Sequence, residues 1–240
     1  MTAIASSGDS PMEISVQVAR TLDEIMQAYV IRGLVYVGEQ DCPYAEEFDG
    51  NDAVATHLVA YYCGEPAGTL RMRWFAEFAK LEHAAVRRER RRAGILRHLT
   101  EVATDIAARK GYRLLYATSQ VDRLKVWTKL GFTPVNKPGF AFSDYQYIPI
   151  ERILEPSASP ILHTSPDLVI VRPEGDWDRA GVLDHSAERL APALKAASWR
   201  NRKKRPPQEK SQYSGANGTE ARETTEESDA LRNYILYPFP

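Results

Sequence analysis

Apolar and polar positions alternate through Glu13–Ala19, with Ile14, Val16 and Val18 on one face, and this period of two predicts a strand. The period then changes. Thr21, with Glu24 three residues on, makes a capping box, and Leu22, Ile25, Met26, Tyr29, Val30 and Leu34 follow at helical spacing. Residues 35–40 blur that period and Asp41-Cys-Pro-Tyr44 breaks it, so the acidic run through Asp41, Glu46, Glu47, Asp49 and Asp52 is expected as a surface loop. Val54–Cys63 and Gly68–Phe75 flank the turn Gly64-Glu-Pro-Ala67 and predict a hairpin, followed by a strand over Glu77–Val86. Gly94–Lys110 carries Ile95, Leu99, Val102, Ile106 and Ala107 at spacings of three and four, which predicts a helix closed by Gly111. A buried strand is expected over Tyr112–Ala117. A short helix follows over Val121–Leu130, with Leu124, Trp127 and Leu130 inward. Phe132–Val135 and Phe142–Ile150, on either side of the turn Asn136-Lys-Pro-Gly139, are the last two strands.

The resulting order, β-α-β-β-β-α-β-α-β-β, begins with strands in succession and then alternates strands with helices. That order predicts an α+β fold, a mixed sheet with helices packed on it. The domain is expected over 13–154, after a flexible tail at 1–12. Residues 155–200 are expected as a linker and partly helical extension, with a further strand at Leu168–Val171 and a helix over Asp184–Ser198 that Pro192 must kink or split. Residues 201–229 hold almost no apolar side chains, and 201–240 is expected to be a disordered tail, with Leu231–Pro240 regaining apolar character.

Composition changes this picture little. The chain has 240 residues, 43% apolar and 26% charged, with a net charge of −1, so any nucleic-acid or membrane partner must be met by a local patch. No apolar run approaches the length of a membrane span, and residues 1–12 lack the apolar core of a signal peptide, so a cytoplasmic location is expected. Cys42 and Cys63 make neither a disulfide framework nor the spacing of a zinc site, and no metal is expected. The cluster Arg200, Arg202, Lys203, Lys204 and Arg205 lies beside an acidic stretch and reads as a solvated linker; no strong nucleic-acid signal follows.

The chemistry concentrates between Leu81 and Phe132. A strand ending at Val86 feeds a loop that reads Arg87-Arg-Glu-Arg-Arg-Arg-Ala-Gly94, and that loop opens a helix. Helix N-termini offer unpaired N–H groups and partial positive charge, and arginines add full charges, so this arrangement suits a phosphorylated ligand. Six arginines fall between Arg87 and Arg97 on a near-neutral chain.

Arg91, Gly94 and Leu96 sit at the spacing of a signature in which Arg or Gln is followed after two residues by Gly and, one residue later, by Gly or Ala. Lys129-Leu-Gly-Phe132 ends the next helix. In front of both lie Arg32, Val35-Tyr-Val37, Glu39-Gln40, Cys42-Pro-Tyr44, Asp49, Asp52 and His57-Leu-Val-Ala60. On these residues the chain resembles the GNAT acyltransferases over about 13–150. Its front half is similar to the ElaA-like group and to the N-acyl amino acid and acyl-homoserine lactone synthases. The resemblance implies acetyl-coenzyme A or another acyl-coenzyme A as donor and a primary amine of a small molecule or peptide as acceptor, with a homodimer left open. Two positions depart from the family pattern. Leu96 replaces the second small residue, which bears on which donor fits. Trp127 stands where the family often has a Tyr that protonates the departing thiolate, and an indole N–H has no such acidity.

The donor site is expected to use the backbone of Ala84 and Val86 for pantetheine, and the loop residues Arg91, Arg92, Ala93, Gly94, Ile95 and Leu96 for pyrophosphate. Deprotonating an amine at neutral pH calls for a nearby carboxylate or His. Glu82, on the strand that ends in the loop, is the first candidate. His83 should face the other way unless a bulge intervenes, and His57 on the neighbouring hairpin is the third. Tyr145 and Tyr147 on the last strand, with Tyr116, are the phenols available as acid. A longer acyl donor and a catalytically silent coenzyme-binding module are the rival readings.

Overall fold

The alternation expected at the N-terminus is present in the computed structural model, which describes residues 13–188 other than Ser143. The chain divides between Arg189 and Leu190, and the described residues lie on the N-terminal side of that division. The tails at 1–12 and 201–240, the basic cluster, and the part of the last expected helix that holds Pro192 lie outside the described residues.

Strand β1 (Ile14–Val18) leads into helix α1 (Leu22–Arg32), where Thr21 Oγ1 accepts the Glu24 N–H and Glu24 Oε2 accepts the Thr21 N–H in the expected capping box. The blurred period after it is a π-helical turn, Gly33–Val37, continued by α2 (Gly38–Gln40) and α3 (Tyr44–Glu47). Strands β2 (Thr56–Tyr62), β3 (Glu65–Trp74) and β4 (Ala79–Val86) follow, then α4 (Ile95–Arg109), β5 (Leu114–Gln120), α5 (Leu124–Lys129) and β6 (Thr133–Pro134). The last expected strand is two, β7 (Phe140–Phe142) and β8 (Tyr145–Ile153), separated by a turn with Asp144 at φ 61°. The sheet order is β1-β2-β3-β4-β5-β8-β6, with β7 on β8, and every pairing is antiparallel except β4 with β5.

One face of the sheet packs on α4. Ile95, Leu99, Ala103, Ile106 and Ala107 are buried at helical spacing against Leu58, Leu70, Met72, Leu81 and Leu115. Burying each large side chain of this set contributes about 1.5–3 kcal/mol. Gly68 on β3 allows the close approach, since a Cβ there would lie 2.6 Å from Ile95 Cγ2.

The other face meets α1 through Ile31, Val35, Tyr36 and Ala85, and through two buried guanidiniums. The apolar spacing of α1 does not mark its buried side. Leu22, Met26, Val30 and Leu34 are exposed, while Ala28, Ile31 and Arg32 are buried. Leu168–Val171 is not a strand: Asp167–Ile170 is a single helical turn, α6. Among the described residues no sheet edge receives it, and local i→i+4 bonding from Pro166 and Asp167 satisfies its backbone instead. Residues 155–188, which end in α7 (Val182–Glu188), pack back on the sheet, with Trp177 in the main core under the Arg109 guanidinium. Asp178 pairs with Arg109, and Glu174 binds both Lys110 and Thr56.

Candidate active site

β4 and β5 diverge at the centre of the sheet. They pair in parallel only over Ala79–Leu81 with Leu115–Ala117, although β4 runs on to Val86 and β5 to Gln120. Past Leu81 the edge of β4 is open. The Arg87 N–H bonds Ala67 O on β3, so the backbone of the alternate residues Val86 and Ala84 turns toward the opening. There Ala84 O accepts the Tyr36 hydroxyl at 2.9 Å and Val86 O accepts Arg91 Nε at 3.1 Å. A carbonyl has a second lone pair, and the N–H groups add donors, so this edge is suited to an extended amide-bearing ligand.

The opening ends at the basic loop. Arg92 (φ 69°) and Gly94 (φ 90°) are both left-handed and turn the chain into α4, whose first-turn N–H groups are capped by no side chain. Arg91 Nη2 is held by Glu39 Oε2 at 2.7 Å and Arg87 Nε by Glu89 Oε1 at 2.7 Å. Leu96 is half-buried and packs against the core. These residues fit a pyrophosphate-bearing ligand by charge and by backbone geometry.

On the α1 side of the opening lies a network of ions. Arg32 donates from Nε to Glu47 Oε1 (2.6 Å), from Nη2 to Glu47 O (2.7 Å) and from Nη1 to Asp52. Arg71 donates to Asp49 (2.7 and 2.8 Å), Asp52 (2.8 Å) and Glu82 (2.7 and 3.0 Å). Lys80 Nζ reaches the other Glu82 oxygen at 2.6 Å. The acidic run 41–52 is therefore only partly the solvated surface expected: Asp41 and Glu46 are exposed, but Glu47 is fully buried, and it, Asp49 and Asp52 are ligands of two buried arginines. Hydrogen bonds from Arg71 hold the Asp49 carboxyl well below the ordinary carboxylate range. Burial raises Asp52 and Glu82, but Arg32 and Arg71 for the first, and Lys80 and Arg71 for the second, outweigh it and leave both lowered.

His83 does not face away from this network. The β3–β4 register shifts between Thr69/Ala85 and Arg71/Glu82, and His83 takes φ 45° in the bulge. Its Nδ1 lies 3.1 Å from Glu47 Oε2, and its Nε2 is 3.8 Å from Asp49 Oδ2. His57 is more deeply set. Its Nε2–H donates to Asp52 O at 3.0 Å, and among the described residues its buried Nδ1 has no partner; burial lowers its pKa.

Of the phenols, Tyr147 lies nearest the splayed end of β5, where its hydroxyl accepts Gln120 Nε2 at 3.1 Å and burial raises its pKa. Tyr145, two residues earlier, shares its face and is half-buried. Tyr116 packs edge-on against Phe78. Trp127 is a core residue, edge-to-face with Phe132 at 5.2 Å.

Residues 20–132 match the model of the acetyltransferase (GNAT) family. A candidate acetyltransferase of Bacillus subtilis is 29% identical over 112 residues, which is 45% of this chain and 76% of that protein. An acyl-CoA N-acyltransferase from Pseudomonas aeruginosa superposes with a TM-score of 0.52 at 25% identity, over 59% of this chain and 99% of that one. ElaA of Escherichia coli superposes with a TM-score of 0.51 at 18% identity over 59% and 99%, a likeness of fold. Residues 20–132 carry a GNAT-family acetyltransferase domain.

Within this GNAT domain the fold brings together Ala84, Val86 and the loop 91–96 on one side of the splay, with Glu82, His83 and His57 on the α1 side. Glu82 and His57 are held in the ion network, whereas His83 lies at its rim beside the opening. The sequence reading missed Arg71 altogether and gave Glu47 and Tyr36 no individual catalytic role. Alternation offered one signal for Arg71, a charged residue between Leu70 and Met72 on a strand that is buried on both faces.

Proposed function

We propose that this domain transfers an acyl group from acyl-coenzyme A to a primary amine of a small molecule or peptide, with His83 as general base. The observation that carries the reading is the His83–Glu47 contact at the mouth of the β4/β5 splay. Glu47 is fixed by Arg32 and accepts the Nδ1–H of His83, which gives Nε2, with Asp49 Oδ2 3.8 Å away, the lone pair that takes a proton from the attacking amine. Glu82 is the weaker base. Its carboxylate is already paired with Arg71 and Lys80 and is held below its ordinary pKa.

Backbone groups of Ala84 and Val86 orient the pantetheine arm, and the loop from Arg91 to Leu96 takes the pyrophosphate at the α4 N-terminus. The thioester supplies the activated acyl carbon. Tyr147 accepts from Gln120, keeps its own proton at neutral pH, and is the phenol to which this reading gives the return of a proton to the departing thiolate in place of Trp127. The likeness to an acyl-CoA N-acyltransferase at 25% identity supports the donor assignment.

The test is release of free thiol from acetyl-coenzyme A in the presence of a panel of primary amines. Amine-dependent release supports the reading. Coenzyme A binding without release under any amine identifies a silent binding module instead.

A further inference from the structure

One short segment holds both arms of the splay. Tyr36 donates to Ala84 O on β4 at 2.9 Å, and Gln40 accepts Gln120 Nε2 on β5 at 2.8 Å. A separation of four residues places these two side chains on one helical face. Gln120 also donates to Tyr147 on β8 at 3.1 Å, so the bridge continues across the opening. The strands stop pairing at Leu81 and Ala117, and residues 36–40 span the gap they leave on the α1 side. The Tyr36 ring stands edge-on to His83, with centroids 5.8 Å apart. Burial raises its phenol far above the ordinary range.

A donor lying along Val86 and Ala84 brings its thioester to His83, where the strands begin to part. From that point an acyl chain can lengthen in two directions. Toward α4 it meets Leu81, Leu99 and Leu115, all buried in a close-packed core. Toward α1 it meets the Tyr36 ring. We infer that Tyr36, on a segment that Gln40 ties to β5, sets the acyl length and confines the donor to short acyl groups such as acetyl, excluding medium chains such as hexanoyl. The inference rests on the acyl-coenzyme A reading above. Displacing the half-buried ring would give up the hydrogen bond to Ala84 O and the edge-on packing against His83, and a pocket rejects an oversized group by that kind of cost.

The experiment is calorimetric titration of coenzyme A, acetyl-coenzyme A and hexanoyl-coenzyme A into the full chain and its Tyr36→Phe, Tyr36→Ala and Gln40→Ala variants. In the wild type and Tyr36→Phe, which keeps the bulk of the ring, hexanoyl-coenzyme A should bind at least about tenfold more weakly than acetyl-coenzyme A. In Tyr36→Ala the two should bind within about threefold of each other, with Gln40→Ala in between. Equal binding of both donors by the wild type overturns the inference, as does discrimination that persists in Tyr36→Ala. Should Tyr36→Ala fail to fold, unchanged discrimination in Gln40→Ala and Tyr36→Leu overturns it equally. Failure of the wild type to bind coenzyme A at all removes the acyl-coenzyme A reading rather than the length assignment.

Discussion

His83 Nδ1 lies 3.1 Å from a carboxylate oxygen of Glu47, although the two residues are 36 positions apart and Glu47 belongs to an acidic run that reads as solvated. Two irregularities create the contact. A bulge turns His83 toward α1, and Arg32 pulls Glu47 under the sheet.

Glu47→Gln should therefore impair turnover more than donor binding. The amide keeps the shape but can present its NH2 to Nδ1 and favour the wrong tautomer. The expected result is a fall in kcat of at least about tenfold, with coenzyme A affinity little changed, as steady-state rates and calorimetry would show. Equal losses in both would mark Glu47 as a purely structural residue.

Arg71 is a stability residue. Arg71→Met removes a buried cation and leaves Asp49, Asp52 and Glu82 facing one another. Breaking a buried ion pair from one side costs about 3–5 kcal/mol, so denaturant unfolding should show a loss of that size. A loss within the range of ordinary surface substitutions would show that the network contributes little.

His57 gives the fold an acid sensitivity. Burial depresses its pKa in the folded state, so below the unfolded value of about 6.5 the unfolded chain binds the proton more readily. The stability conferred by the neutral ring is complete above that value. It declines as pH falls through the window between the unfolded and the folded pKa, by at most about 1.4 kcal/mol per unit. His57→Asn should flatten this slope in unfolding measured from pH 7 downward, and an unaltered slope would assign the effect elsewhere. Asp49, Asp52 and Glu82, all lowered, add a second loss at more acid pH, as each is protonated below its unfolded value.

Gly94 should tolerate no side chain. Its φ of 90° is left-handed, and Gly94→Val adds strain of about 1–3 kcal/mol at the turn where backbone must approach the ligand. Coenzyme A binding should fall by more than about tenfold while the thermal midpoint drops by only a few degrees.

The order of strands and helices was legible because it rests on local periods. The capping box at Thr21, the amphipathic α4 and the loop into Gly94 all follow from neighbours in sequence. What escaped depends on pairing over distance. The charges of Glu47, Asp49 and Asp52 read as a solvated loop because the two guanidiniums that pair with them lie on α1 and β3. The apolar spacing of α1 pointed to the wrong face because the buried side is built around Arg32 rather than around Leu22, Met26 and Val30. The side of β4 occupied by His83 depended on a bulge that no periodicity announces, and Leu168–Val171 is β-rich in composition but has no strand beside it among the described residues.

The measurement that bears most directly on the account is thiol release from acetyl-coenzyme A, as a function of pH, by the wild type, His83→Gln and Glu82→Gln. Removing a general base costs roughly 10²–10⁴ in rate, so His83→Gln should lose at least about a hundredfold at neutral pH and recover as alkali deprotonates the amine. Glu82→Gln should keep the wild-type profile. The reverse pattern, with Glu82→Gln inactive at neutral pH and His83→Gln unimpaired, would contradict the assignment of the base to His83.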